Sequence, residues 1–263
     1  MYRVPWTGQD RDRPSRVGRA GGRLQFPRED TPMILGLGSR RPQPVPDHCG
    51  DGRHTIRTAR LVLHTPRDHW DVEVGAAAGA DSDAQRWFGW TPKSLVTPET
   101  AEHLLGIHDG NRAERLRAFP RSVRRELARP VVLPDPGAEQ RLLAVDAVTG
   151  AVAGMSSLTP DDGGAIGLWL APACRGRGLG AELAAATARF GHEHLGLESV
   201  SAGTETANHR CRGALRAAGF VRCEGPALHT LPDGRVVDPT WYRHEAADTA
   251  RCAGAPAAAI SRG

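Results

Sequence analysis

Three short runs of apolar residues in the middle of the chain alternate with turn sequences. The runs cover residues 141–146, 151–158 and 165–170, and glycine-containing turns at residues 148–150 and 161–164 separate them. Apolar runs of this length that are joined by turn residues are typical of antiparallel strands with tight connections. The pattern therefore predicts a three-stranded antiparallel meander.

The hydrophobic period changes to that of a helix directly after the meander. Leu179, Leu183 and Phe190 recur at the spacing of one helix face. A helix with this pattern commonly ends at a glycine. We therefore expect a helix that ends at Gly191 or Gly196.

Three further elements are predicted beyond this helix. A short strand covers residues 199–202, and a second amphipathic helix begins after Asn208, a good N-cap, and ends at Gly219. The turn at residues 232–234 then predicts a final hairpin over residues 221–244.

The region before the meander has a weaker pattern. Residues 60–66 have the composition of a strand, and residues 68–106 that of helical pieces. The arginine-rich stretch at residues 112–129 has two interpretations, a solvated helical insertion or a surface for an anionic substrate or partner.

Composition limits the class of protein. The chain has 263 residues, of which 40% are hydrophobic, enough for a sizeable core. No apolar run approaches the roughly 18 residues of a membrane span, which excludes an integral membrane protein. The five cysteines include no CxxC pair, so neither a disulfide framework nor a structural zinc site is expected, and a cytoplasmic location fits best.

His192 and His194 are two apart on a predicted helix and face different directions, so no metal site is predicted there.

The net charge of +4 belongs to the first part of the chain. Residues 1–53 hold ten arginines and six acidic residues, whereas the remainder holds 24 residues of each sign. The neutral remainder argues against a nucleic-acid-binding domain. We expect a disordered segment at 1–53, one domain at 54–245 and a flexible tail at 246–263. The first segment is either a basic arm or a solvated tail, and initiation near Met33 is a further alternative.

The loop at residues 175–180 carries the candidate chemistry. It follows a predicted strand, leads directly into a helix, and contains Gly176, Gly178 and Gly180. Backbone N–H groups in such a loop converge on one point, and the helix adds its unpaired donors and positive dipole end. Arg175 and Arg177 add mobile positive charge, so the loop predicts a pyrophosphate cradle.

Two other phosphate-binding loops fit less well. A Walker loop ends in Gly-Lys-Ser/Thr, but the one lysine of the chain is Lys93. A dinucleotide-binding loop follows the first strand of a parallel βαβ unit, whereas strands of a meander precede this loop.

The order of elements resembles the GNAT superfamily of acyl-CoA-dependent N-acetyltransferases. The resemblance rests on a strand, Arg175-x-x-Gly178-x-Gly180, a helix, a strand, an asparagine and a helix that ends in Gly-Phe. Residues 165–172 and Asn208-x-x-Cys211 are similar to the branch that contains the ribosomal-protein N-terminal (alanine/serine) acetyltransferases. The resemblance implies a mixed α/β (α+β) fold, with a mostly antiparallel central sheet splayed at a bulge and flanked by helices. It also implies acetyl-CoA as co-substrate.

The resemblance further implies where acetyl-CoA would bind. The pyrophosphate would lie on the loop, and the pantetheine arm beside the preceding strand, where backbone N–H groups would polarise the thioester carbonyl. Asn208 would contact the cofactor or act as the helix N-cap, and the two roles are compatible. The implied cofactor-binding residues are Leu168, Trp169, Leu170, Arg175, Gly176, Arg177, Gly178, Leu179, Gly180 and Asn208.

The implied reaction is direct acyl transfer to a primary amine. The chain departs from the branch, which often has an acid at Ala165, an aromatic at Leu168 and a tyrosine at Leu215. Candidate catalytic residues besides Asn208 are Cys211, which is either a hydrogen-bond donor to the leaving sulfur or a buried hydrophobe, and Glu205, which is either a base or a loop carboxylate.

Three functions are thus open. The first is an N-acetyltransferase that acts on a protein N-terminus or a small-molecule amine, as a monomer or homodimer without a membrane partner. The second is a non-catalytic acyl-CoA-binding module, and the third an RNA- or ribosome-associated protein that uses its arginines. In the GNAT fold the amine cleft lies between the early helices and the final hairpin, so Trp87, Trp90 and the Asp233-Gly234 turn are expected there.

Overall fold

The computed structural model describes residues 47–89, 116–117 and 119–246. The predictions for residues 1–46, for 90–106 including Trp90, for 112–115 and 118 of the arginine-rich stretch, and for 247–263 lie outside the described residues. Within them, the α-helices are α1 (His69–Ala77), α2 (Ser82–Phe88), α3 (Arg121–Leu127), α4 (Leu179–Arg189) and α5 (His209–Ala217). The strands are β1 (His48–Gly50), β2 (Arg53–Arg57), β3 (Leu61–His64), β4 (Gln140–Asp146), β5 (Val152–Thr159), β6 (Ala165–Leu170), β7 (Ser199–Glu205), β8 (Val221–Cys223), β9 (His229–Thr230), β10 (Val236–Val237) and β11 (Pro239–Glu245).

Nine strands form one sheet in the order β1-β2-β3-β4-β5-β6-β7-β11-β8. All neighbouring strands are antiparallel except β6 and β7, which are parallel. The predicted meander is confirmed as β4, β5 and β6. No helix in the described ranges has the length and apolar character that crossing a bilayer requires.

Helices cover both faces of the sheet. The apolar faces of α4 and α5, which include Leu183 and Leu215, pack on one face together with Phe190. On the other face, Trp70 and Val74 of α1 pack with α3. Burial of these side chains removes apolar surface from water on both sides, which stabilises the layered arrangement.

The helix after the meander continues past one of its two predicted end points. A π-helical turn at Phe190–His194 extends α4, and the chain then turns at Gly196, whose φ is +69°. Gly191 lies inside this turn, where a Cβ atom would lie 2.7 Å from Val200 Cγ2. Gly191 therefore serves close packing against β7, and Gly196 is the terminating glycine.

The segment predicted as disordered contains a strand at its end. β1 and β2 form a hairpin, hereafter the N-terminal hairpin, around Asp51 and Gly52, whose φ angles are +52° and +71°. Positive φ at both central residues is the geometry of a type I′ turn, for which Asp-Gly is a favoured sequence. The interpretation of residues 48–53 as disordered is therefore wrong, while the rest of the domain division stays a prediction.

The final hairpin differs from the prediction. β8 ends at Cys223, and β11 inserts between β7 and β8, while β9 and β10 form a separate small hairpin around the predicted turn. Pro226 has no N–H group for a strand ladder, and the Gly225 position lies against the Trp241 ring. These two residues end the strand early.

Candidate active site

A gap between β6 and β7 marks the candidate site. The two strands pair only where Ala165 lies opposite Ser201. β6 pairs with β5 in continuous register up to Leu170 opposite Gly154, so the predicted bulge in β6 is wrong. β6 and β7 separate beyond their one paired position without a bulge. No described strand pairs with the β7-facing edge of residues 166–170, which leaves backbone groups available there apart from the Leu170 carbonyl, which accepts from Arg175. We call this gap the slot.

The loop at residues 175–180 lies at the end of β6. Gly176 and Gly178 have φ angles of +75° and +77°, a conformation that favours glycine, and Gly178 is the N-cap of α4. Residues 176–178 are exposed. Within the described part of the chain, no group accepts a hydrogen bond from the peptide N–H groups of residues 176–180. These donors lie unpaired at the positive end of a helix, and those of residues 176–178 belong to exposed residues.

Arg175 differs from its prediction as a mobile positive charge. Its guanidinium donates to both carboxylate oxygens of Asp81, at 2.8 and 2.6 Å, and its Nε donates to the Leu170 carbonyl at 3.0 Å. Burial alone would raise the pKa of Asp81, but hydrogen bonds from Arg175 and from the Ala84 N–H hold that pKa below its usual value. The side chain of Arg175 thus fixes the loop to the N-cap of α2 rather than pointing at a ligand.

Arg60 and Glu182 support the loop from the other side, and sequence reasoning missed both. Arg60 donates to the Arg177 carbonyl at 2.8 Å, and its Nε lies 2.7 Å from a carboxylate oxygen of Glu182. The carboxylate of Glu182 also accepts from the Arg60 N–H and the Thr58 hydroxyl. The sequence offered one signal for Glu182, its position in the first turn of α4, because acidic residues are favoured near a helix N-terminus. The Arg177 side chain remains exposed beside the loop.

The sequence profile of the GNAT acetyltransferase domain matches residues 60–221, more than half of the chain. The chain belongs to the GNAT acetyltransferase family. The family prediction and the predicted mostly antiparallel fold are thereby confirmed. As a GNAT protein, the chain is an acetyl-CoA-dependent N-acetyltransferase. No curated protein sequence matches it significantly.

Several solved structures resemble the GNAT domain. One is an acetyl transferase from Salmonella typhimurium that modifies the N-terminal serine of a 50S ribosomal subunit protein, with 16% identity, a TM-score of 0.49, and coverage of 73% of this chain and 99% of that chain. Another is spermidine N-acetyltransferase from Vibrio cholerae in complex with CoA and spermine, with 15% identity, a TM-score of 0.49, and coverage of 72% and 96%.

The residues of β6 present backbone, not side chains, to the slot of this GNAT domain. Leu168 and Leu170 pack against the core beneath α4 and α5. Trp169 points to the other face, where its Nε1 donates to the Gly75 carbonyl at 2.8 Å and its ring lies 5.5 Å from the Phe88 ring in a T-shaped arrangement. A ligand in the slot would therefore meet the main chain of residues 168–170.

α5 begins just after the end of β7, with Asn208 before its first turn. The Asn208 side-chain oxygen accepts from the Cys211 N–H at 3.1 Å, which makes Asn208 the N-cap. Its Nδ2 group donates to none of the described residues. α4 and α5 approach closely here, since a Cβ at Gly180 would lie 3.4 Å from Ala214 Cβ. The absence of a side chain at Gly180 thus serves helix packing.

Cys211 and Glu205 lie on opposite sides of the sheet. Cys211, in the first turn of α5, packs against the core on the α4 and α5 side and is hydrogen-bonded to Thr204. Burial raises the pKa of the Cys211 thiol, and the bond with Thr204 offsets only part of that effect, so the thiol is neutral at pH 7. Because side chains alternate along a strand, Glu205 belongs to the face opposite Thr204, which is also the face of Trp169.

The expected contact between the early helices and the final hairpin is present. Arg235 of the hairpin donates to the Arg86 carbonyl at 2.6 Å, and its Nε lies 2.7 Å from Asp233. The Arg86 guanidinium lies 4.7 Å from the centre of the Trp87 ring. The structure therefore places Trp87 and the Asp233-Gly234 turn at the same end of the sheet.

A surface cavity of about 570 Å³ lies along β8 and β11. Its lining includes Glu224, Pro239 and Trp241. Pro239 lies directly opposite Glu205 in the β11–β7 pairing, so the cavity begins one strand away from that carboxylate. The Trp241 ring covers Gly203, and its Nε1 donates to the Pro226 carbonyl at 2.8 Å. The lining contains a carboxylate and an aromatic ring, groups that attract a cation, and also the guanidinium of Arg222, which opposes one.

Proposed function

We propose that this GNAT enzyme holds acetyl-CoA in the slot and acetylates a primary amine of a peptide N-terminus or a small molecule. The observation that carries this assignment is a pair of neighbouring groups of free donors, one along the unpaired edge of β6 and one at residues 176–180 at the start of α4. One extended ligand with an acyl group at one end and a diphosphate at the other fits two such groups of donors.

The cofactor loop, residues 175–180, is proposed to bind the pyrophosphate. A Cβ atom at Gly176 would meet no other atom within 4 Å, so the loop is open around this residue. The exposed Arg177 adds positive charge. Arg175 contributes by holding the loop against Asp81, and Leu179 and Gly180 contribute main-chain donors. The Nδ2 group of Asn208 is proposed to donate to the pantetheine arm.

Bound acetyl-CoA supplies an acetyl thioester. The main-chain N–H groups of Leu168 and Leu170, which point away from β5, are proposed to polarise its carbonyl. Glu205 accepts a proton from the attacking ammonium, directly or through water, so that the amine nitrogen can bond to the acetyl carbon. The carbon–sulfur bond breaks, and the neutral Cys211 thiol donates a hydrogen bond or its proton to the leaving sulfur. Alignment of the two reactants supplies the remaining rate enhancement.

The acceptor is proposed to approach from the face of the sheet that carries Glu205 and Trp241. The cavity beside β11, which is lined by Glu224 and Trp241 as well as Arg222, is proposed to hold the remainder of the amine, with Glu224 and Trp241 nearest to its positive charge. Four free cysteines among the described residues support a cytoplasmic location. The enzyme is proposed to act as a monomer or a homodimer.

The test is a thiol-release assay with acetyl-CoA and a panel of amines that includes peptides with free N-termini and polyamines. We expect turnover with at least one class, together with saturable acetyl-CoA binding by calorimetry. Tight CoA binding without turnover on any amine would support the non-catalytic module instead. Absence of acetyl-CoA binding would overturn the assignment of the slot. Salt-dependent RNA binding that disappears on deletion of residues 1–53 would favour the third function.

A further inference from the structure

We propose that Cys49, His54 and His194 form a binding site for a zinc ion that fastens the N-terminal hairpin to the end of α4. The site lies outside the slot. Cys49 and His54 precede residue 60, where the match to the GNAT profile begins. The proposal therefore does not depend on the acetyl-transfer site.

The three side chains converge from two elements. Cys49 and His54 lie directly opposite each other in the β1–β2 pairing, and His194 lies in the π-helical turn that extends α4. One ligand atom from each of the three residues lies within 4.8 Å of the other two. Zinc forms bonds of about 2.0–2.3 Å to nitrogen and sulfur. A small inward movement of the three side chains would bring their ligand atoms to the separations that such bonds require.

His194 carries one polar atom that the protein leaves without a partner. Its Nδ1 atom is buried, and no hydrogen-bond partner for it exists among the described residues. A buried ring nitrogen without a partner is costly, and coordination of a metal through Nδ1 would remove that cost. The Cys49 sulfur lies 2.8 Å from His54 Nδ1, a contact that a hydrogen bond alone would also explain.

The surroundings fix the two histidine rings. The His54 ring lies edge-on to the Phe190 ring at 4.9 Å, and 5.7 Å from the His194 ring. An ion pair between Arg189 and Asp47 at 2.7 Å already holds the hairpin against α4. Because Asp47 is engaged there, the metal-ligating set consists of sulfur and imidazole nitrogen.

This donor set selects the metal. One thiolate and two imidazoles suit Zn²⁺ and Co²⁺, whereas Mg²⁺ and Ca²⁺ require oxygen ligands. Binding replaces the Cys49 thiol proton, which leaves to solvent, by a metal–sulfur bond. Three protein ligands leave one tetrahedral position for water.

The experiment uses the full-length protein without an affinity tag, freed of metal by a chelator. We expect one equivalent of Zn²⁺ by elemental analysis after reconstitution and desalting. Co²⁺ should give a thiolate-to-cobalt charge-transfer band that Cys49→Ser abolishes. His194→Gln should weaken Zn²⁺ binding at least about tenfold. The matched controls are Cys223→Ser, a thiol on β8, and His192→Gln, whose ring bonds His244 instead; both should bind Zn²⁺ as the wild type does.

A second measurement covers variants that fold poorly. In the wild-type protein, one equivalent of Zn²⁺ should slow alkylation of Cys49 and slow amide exchange in β1 and β2. Sub-stoichiometric zinc, a cobalt spectrum without a sulfur band, or unchanged Cys49 alkylation would overturn the proposal. If the zinc proposal fails, turnover of acetyl-CoA by the zinc-free protein would still support the proposed function. The test of the zinc site and the test of acetyl transfer are therefore separable.

Discussion

The Arg175 guanidinium donates to both oxygens of the Asp81 carboxylate, at 2.8 and 2.6 Å. Arg175 begins the cofactor loop, and Asp81 is the N-cap of α2, so this pair joins the proposed cofactor side of the enzyme to its acceptor side. Only about a quarter of each side chain is exposed. A two-bond pair of this kind is more rigid and less screened by solvent than a single surface contact.

Asp81→Asn should destabilise the protein by about 1–2 kcal/mol, within the usual range for hydrogen bonds to charged groups after allowance for partial exposure. Asparagine keeps the N-cap of α2, so the loss would report on the ion pair. The measurement is the free energy of unfolding in urea, with Arg175→Ala and the double variant completing a cycle. Glu126→Gln, in the exposed Arg129–Glu126 pair, is the control and should have little effect. Additive effects in the cycle would contradict the pairing.

Because of the Asp81 carboxylate, we expect the protein to lose stability in acid. The pKa of Asp81 is lowered because bonds from Arg175 and from backbone N–H groups outweigh its burial. The pKa of Glu182 is lowered in the same way, by bonds from Thr58 and Arg60 that outweigh burial. A carboxyl with a lowered pKa stabilises the folded state above its ordinary pKa, and that stabilisation disappears as pH falls through the folded value.

Unfolding free energies should therefore drop below about pH 4.5, and the difference between wild type and Asp81→Asn should shrink as pH falls towards 3. A difference between the two proteins that stays constant from about pH 6 to about pH 3 would show that the Asp81 charge is not involved.

The sequence was sufficient for the local part of the fold. The β4–β6 meander, both helices that follow it and the glycine loop have short-range signals, and all lie where those signals place them. Arg175 and Asp81 are 94 residues apart, and no local pattern links them. β11 inserts between two earlier strands for the same reason, because its partners are decided by packing across the sheet. The N-terminal hairpin could have been predicted locally, because Asp51-Gly52 is a favoured sequence for a hairpin turn. The arginine-rich composition around it favoured the prediction of disorder instead.

Gly178→Val should abolish acetyl-CoA binding, because a branched side chain would add bulk to the loop proposed to hold the pyrophosphate, where a Cβ would already lie 3.5 Å from Arg60 Nη2. The φ of +77° also makes any side chain there strained, at a cost of about 1–2 kcal/mol. Gly196→Val is the matched control, because Gly196 has a φ of +69° and open space around it but lies beyond the end of α4. Calorimetry should show binding lost in the first variant and retained in the second, and equal loss in both would assign the effect to strain.

Cys211→Ala should lower kcat, with an unchanged Kd for acetyl-CoA, if the thiol donates to the leaving sulfur. A reduction of about 10²-fold is expected for loss of one acid–base group. Cys211→Ser should retain most of the rate, since a hydroxyl also donates a hydrogen bond. Cys223→Ala on β8 serves as the control thiol. If Cys211 is only a buried hydrophobe, Ala will leave kcat unchanged, and Ser will lower the melting temperature because it buries a hydroxyl.

Glu205→Gln provides the sharpest test of the proton acceptor. Glutamine keeps the size of the side chain at the end of β7 but accepts no proton, so kcat/KM for the amine should fall by about 10²–10⁴-fold. Acetyl-CoA binding should not change, because the slot uses the main chain of β6 and the loop. Glu198→Gln, an exposed carboxylate just before the opposite end of β7, is the matched control. Full activity of Glu205→Gln at every pH would assign deprotonation of the amine to water, and a fall with Glu198→Gln of equal size would indicate a general effect of charge.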